Sequence, residues 1–196
     1  MIDSKQKTIG IMLPDGFADW EYGLLAAGAA EHLDARIVFL TEGQKPVRSI
    51  GGLSTRGERG TDPSDNADLD AVALIGSDIW QTKGAPDVAA LLRSVTSRGG
   101  VVGAICGATV ALANSGLLKG VPHTSNGSDW LKKATGGYAG EACYVDQPAA
   151  IASGRIITAS GLAPDTFAVA FLKAVYPDQG AMLDGVKSMF AAEHGS

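Results

Sequence analysis

The chain is short of cysteine, with two in 196 residues, and of histidine, with three. Two cysteines form no disulfide framework in a chain this long, so a reducing, cytoplasmic setting is expected. The His, Cys, Asp and Glu residues are too dispersed for a ligand pattern, so no metal and no cofactor are expected. Long apolar runs are also missing. The opening MIDSKQKTIGIML holds only six residues from Thr8 to Leu13 before Pro14, too few for a signal-peptide core, and no run spans a membrane. The 16 Lys and Arg residues are scattered within a net charge of −5, which excludes a nucleic-acid partner. Repeats and low-complexity tracts are absent. The length and the 45% hydrophobic content suit one domain over residues 1–196.

What is present is an alternation. TIGIML (8–13), ARIVFLT (35–41), AVALIG (71–76) and GGVVGAI (99–105) are short apolar runs bounded by turn residues. They read as strands buried on both faces. Between them lie helical segments: 21–33, 88–95 with Val88, Leu91, Leu92 and Val95 on one face, 107–116, 164–176 and 181–192. VRSI and LSTR flank Gly51 and Gly52 as a hairpin, and AAIAS pairs RIITAS around Gly154. Cys143, in ACYV, reads as a core residue on a strand. The pattern predicts an α/β sandwich with a mostly parallel, flavodoxin-like sheet covered by helices on both faces. In such sheets the site lies beyond the carboxyl ends of the strands. Here those ends carry PDGFADWE, GSDIW and CGAT.

Cys106 falls between a strand and a helix. A nucleophile elbow needs small residues two before and two after the nucleophile, and these are Ala104 and Ala108. The Gly107 amide is placed to meet an oxyanion, and a following helix N-terminus would lower the thiol pKa. The competing reading is an inert buried cysteine.

AICGATVALANSGLL followed by HTSN resembles the ThiJ/PfpI superfamily, whose members share a glutamine amidotransferase-like fold. GIMLPDGFADWE, AVALIGSDIW and RIITASG resemble its other segments in the same order. The resemblance puts the family's nucleophile on Cys106 and its carboxyl partner on Glu21. Glu21 could instead serve a helix dipole. Asp19 is the neighbouring alternative, or an N-cap. The family's glycine pair falls on Gly76 and Ser77, so the amides of Ser77 and Gly107 would form the oxyanion hole, unless the pair is an ordinary turn. The positions where relatives carry a histidine near the cysteine hold Asn126 and Gly107. His123 lies three residues before Asn126 and reads as structural unless it reaches the site; His32 and His194 read as surface. Trp20, Trp80 and Trp130 line an apolar pocket, or else cap the sheet end or fill a dimer interface.

Two functions follow. In the first, the Cys106 thiolate attacks a small electrophilic substrate, with hydrolase, hydratase or lyase chemistry. In the second, Cys106 is oxidised to the sulfinic acid without turnover, as a redox-responsive or stress-protective protein. The resemblance also implies a homodimer.

Overall fold

A computed structural model describes residues 6–192; His194 lies outside them. Six strands form the main sheet: β1 (Thr8–Met12), β2 (Arg36–Leu40), β5 (Ala71–Leu74), β6 (Val101–Ile105), β7 (Ile151–Ser153) and β8 (Ile156–Ala159). Their order is β2-β1-β5-β6-β8-β7. The first five are parallel; β7 pairs antiparallel with β8 at the edge. Counting only the parallel strands, the order is that of a flavodoxin-like sheet. A separate hairpin, β3 (Pro46–Arg48) and β4 (Ser54–Arg56), stands beside the end of β1.

Period-two alternation sorts the strand residues onto two buried faces. Ile9, Ile11, Ala71, Ala73, Ile75, Val101 and Ile157 share one core with α1 (Asp19–Leu33) and α5 (Pro164–Val175). Met12, Val38, Leu40, Val72, Leu74 and Val102 share the other with α2 (Ala89–Ser97), α3 (Thr109–Asn114) and α4 (Ser128–Thr135). Pro164 starts α5 at a position where a missing N–H costs nothing. A last helix, α6 (Gly180–Ala191), follows α5.

The order reverses between β1 and β5. Crossovers leave in opposite directions there, opening a crevice at the carboxyl ends. The loop after β1 is pinned to the end of β5 by Ala18 N–H donating to Gly76 O at 3.0 Å.

Three expectations need correction. The helix after Cys106 begins as a 3-10 turn, Cys106–Ala108, and leaves only six residues for α3. Cys143 is half-buried in a 3-10 turn, Glu141–Cys143, rather than on a strand; the β-ladder contact nearby is a single bridge between His123 and Tyr144. Asp19 does not cap α1: the N-cap is Ala18, and the Asp19 carboxylate accepts Gly51 N–H at 2.7 Å, holding the hairpin loop.

Gly103 on β6 shows how tight the α5 side is. A Cβ there would lie 2.6 Å from Phe171 Cδ2 and 3.0 Å from Phe167 Cζ, both in fully buried rings. Gly103→Ala is expected to lower the unfolding free energy by roughly 1–3 kcal/mol in urea titrations, with an unchanged m-value.

Candidate active site

The carboxyl ends of β1, β5, β6 and β8 converge on Cys106. Its φ is +58°, in the left-handed region that L residues seldom occupy. The flanking Ala104 and Ala108 are fully buried, as an elbow requires. Two glycines hold the side chain. A Cβ on Gly76 would sit 2.6 Å from Cys106 Cβ, and one on Gly161 would sit 2.7 Å from Sγ. Gly107 has no room for a side chain either, since the Ser77 carbonyl occupies that space.

Glu21 reaches this point from α1. It lies on the buried stripe that continues through Leu25, Gly28 and Ala29, so a carboxyl group stands where the helix is otherwise apolar. It is 1% exposed. Oε2 accepts Gly76 N–H at 2.6 Å; Oε1 has no hydrogen-bond partner among the described residues that satisfies ordinary geometry. Oε1 faces the cysteine: a Cβ on Gly161 would be 3.2 Å from it and 2.7 Å from Sγ. From the other side Asn126 Nδ2 donates to Sγ at 3.3 Å, while its Oδ1 accepts Gly161 N–H at 2.9 Å. Gly161 O in turn accepts the indole N–H of Trp20 at 3.1 Å.

Burial pushes Glu21 up from its ordinary 4.5 to about 7, against the Gly76 N–H and the cysteine, which favour the carboxylate. The Cys106 thiol is pushed up from 9.0 to about 11 by burial and then by the facing Glu21 charge; Asn126 and the Gly107 N–H pull it down by less. This corrects the expectation of a lowered thiol pKa. The helix that should have lowered it is a six-residue piece behind a 3-10 turn, too short to outweigh desolvation.

A cavity of about 550 Å³ opens over the cysteine, lined by Asp15, Trp20, Glu21, Ile50, Ser77, Asp78 and Ile79 among others. Among the described residues, no three His, Cys, Asp or Glu side chains are grouped to hold a metal ion. No helix among them is long and apolar enough to cross a membrane.

The DJ-1/PfpI family model matches residues 7–174. The chain belongs to the DJ-1/PfpI family. A DJ-1 superfamily protein of Agrobacterium tumefaciens, Atu0886, superposes with a TM-score of 0.84 at 39% identity, over 96% of this chain and all of the other. A thiJ/pfpI family protein of Bacillus anthracis superposes with a TM-score of 0.69 at 28% identity, over 87% of this chain and 84% of the other. Among curated proteins, the chain is 33% identical to the Bacillus subtilis protein called uncharacterized protease YoaZ, over 80% of this chain and 77% of that one.

Within this DJ-1/PfpI chain, the residues expected at the site divide. Cys106, Glu21, Gly76, Ser77, Gly107, Asn126 and Trp20 meet there. His123 does not. It is fully buried, with Nδ1 on Val121 O at 2.7 Å and Nε2 on the Tyr138 hydroxyl at 2.6 Å, packed edge-on against Tyr138 and Tyr144. A carbonyl can only accept, so Nδ1 carries the proton and Nε2 receives the Tyr138 hydroxyl. Trp80 points into the core, its N–H on Ile75 O at 2.8 Å, and Trp130 packs on the same core. Asp19 serves the hairpin. His32 is exposed on the last turn of α1, so no histidine among the described residues reaches Cys106. Gly161 was missed by reading the sequence; its signal was its place just past the end of β8, beside β6. Behind the elbow, the Thr109 hydroxyl donates to Cys106 O at 2.7 Å and pairs with the Ser125 hydroxyl at 2.6 Å.

Two outcomes follow from this electrostatics. The folded protein holds the Glu21 proton up to about pH 7 while the unfolded chain releases it near 4.5, so stability falls as pH rises between those values. Glu21→Gln removes that cost: thermal unfolding should show it stabilised above pH 7, by on the order of 3 kcal/mol, with the gain gone below pH 4.5. In iodoacetamide alkylation with Cys143→Ser as background, Glu21→Gln should lower the apparent thiol pKa by removing a like charge. Asn126→Ala should raise it by removing a donor to sulfur.

Proposed function

We propose that the protein is a cysteine-dependent enzyme acting on a small electrophilic carbon, by hydrolase, hydratase or lyase chemistry. The observation that carries this reading is the pairing of a strained, cavity-facing Cys106 with a buried Glu21 whose pKa is about 7. A base is most useful when its pKa lies near the working pH. Because the thiol is held protonated, Glu21 acts as general base rather than as partner to a preformed thiolate.

With an amide as substrate, Sγ bonds to the carbonyl carbon as the thiol proton passes to Glu21 Oε1. The Gly107 and Ser77 amides receive the developing oxyanion. Glu21 then gives the proton to the departing amine as the C–N bond breaks. Water, deprotonated by Glu21, adds to the thioester carbon; the C–S bond breaks, the carboxylic acid departs, and Glu21 returns the proton to Sγ. Asn126 orients the sulfur through its amide.

The curated relatives bear protease names. A peptidase of the Cys–His kind is not favoured here, since His123 is committed to Val121 and Tyr138. A cavity of about 550 Å³ suits a small molecule. The redox reading is weakened by the same upward shift: oxidation follows thiolate character, which burial and the facing Glu21 reduce.

The test is a screen of small amides, esters, nitriles and aldehydes, followed by variants on the hit. kcat/KM should rise with pH through about 7 as Glu21 ionises. Glu21→Gln should lose roughly a hundred- to ten-thousand-fold and that limb. Cys106→Ser should abolish turnover and the covalent adduct seen by intact mass. Turnover that survives Cys106→Ser, or an unmoved pH limb in Glu21→Gln, overturns the mechanism.

A further inference from the structure

Three acidic residues, Asp15, Glu21 and Asp78, are among the residues that line the cavity over Cys106, and no Lys or Arg is. Glu21 is the deepest, 1% exposed, with an oxygen that has no hydrogen-bond partner among the described residues. Asp15 stays at the wall because one of its oxygens accepts Arg48 N–H at 2.9 Å. That contact uses the arginine's main chain and leaves the aspartate charge uncompensated by it. The rest of the wall is apolar. Trp20 and Ile50, 53% and 63% exposed, stand at the mouth with Ile79, and the Trp20 indole is fixed by its bond to Gly161 O. Basic side chains gather elsewhere: Lys7, Arg98 and Arg155 line a different cavity at the amino ends of the strands, together with Asp68 and Asp70.

A carboxylate or phosphate brought to Cys106 would meet the acidic side chains of Asp15 and Asp78 with no Lys or Arg among the lining residues to receive it; the Arg48 guanidinium lies against Gly52, outside that lining. A neutral or cationic group meets carboxylates and an indole, both of which attract cations. We propose that the Cys106 site takes neutral or cationic electrophiles carrying an apolar arm, and rejects anionic ones. Asp15 and Asp78 set that selectivity, and Trp20, Ile50 and Ile79 hold the arm. The inference rests on Cys106 being the site's reacting nucleophile, but not on which reaction it completes.

The test uses methanethiosulfonate reagents on Cys143→Ser protein. The Cys106 sulfur attacks the reagent's sulfenyl sulfur, a mixed disulfide forms, methanesulfinate leaves, and the thiol proton goes to Glu21 or solvent. Rates are read by intact mass for the trimethylammonium-ethyl and the sulfonatoethyl reagents, each divided by its rate on a blocked cysteine amide. The thiolate fraction cancels in the ratio. The cationic reagent should be favoured by on the order of tenfold at low salt. Asp15→Asn/Asp78→Asn, which keeps the acceptor for Arg48 N–H, should bring the ratio within roughly threefold of unity. A wild-type ratio at or below unity overturns the charge selectivity while leaving the nucleophile in place. A ratio unchanged in the double variant overturns its assignment to these aspartates. If neutral methyl methanethiosulfonate also fails to label Cys106, the nucleophile reading falls, and this inference with it.

Discussion

The site depends on a backbone turned the wrong way. Cys106 holds a φ of +58°, and it lines the cavity at the carboxyl ends of the strands. Such a conformation costs on the order of 1–3 kcal/mol and persists only where the surroundings fix it. The surroundings are spatial first. Gly76 and Gly161 leave the volume that the cysteine side chain fills, Gly107 lies directly on the Ser77 main chain, and Ala104 and Ala108 let the turn close. Hydrogen bonds then hold it: Thr109 on Cys106 O, and Asn126 between Sγ and Gly161 N–H. All of these groups but Asn126 come from the end of a strand or the segment just after it, so the sheet aligns them; Asn126 is delivered by the segment between α3 and α4.

The electrostatics follow from packing rather than from helix dipoles. Glu21 is buried because its position on α1 is a core position, and the same burial that makes it costly brings its pKa to about 7. The sulfur is buried beside it, so neither charge is cheap, and the thiol keeps its proton while Glu21 ionises first. In a solvated site the carboxyl would be ionised well below neutral pH and would be a weak base. Here the core supplies the basicity.

The aromatic and histidine residues show how one side-chain type divides between tasks. Trp80 and Trp130 fill the α2–α4 core, while Trp20 stands at the cavity mouth. His123 satisfies both ring nitrogens inside a tyrosine cluster, and Tyr144 from that cluster donates to Ser125 O at 3.2 Å. The cluster therefore braces the segment that delivers Asn126.

Much of this was legible in residue order. Unbroken apolar strands alternating with helices determine a parallel sheet, because only strands buried on both faces tolerate such runs. Ala104-Ile-Cys-Gly-Ala108 determines the elbow, because only small residues permit its close approach. The acidic DWE triplet offered two carboxylates; choosing Glu21 over Asp19 took the helix's rotation, which turns one inward and the other to the hairpin. Asn126 was legible only by resemblance. Asp15, Asp78 and Ile79 fell within the strand-end stretches PDGFADWE and GSDIW, but that they line one cavity was not legible, and neither were Ile50 and the place of Gly161 against the sulfur, since these residues sit up to a hundred and more apart and meet only when the strands are ordered β2-β1-β5-β6-β8. The direction of the thiol's pKa was misjudged for the same reason. Local sequence determines which groups can ionise, but desolvation is a property of what the rest of the chain packs around them.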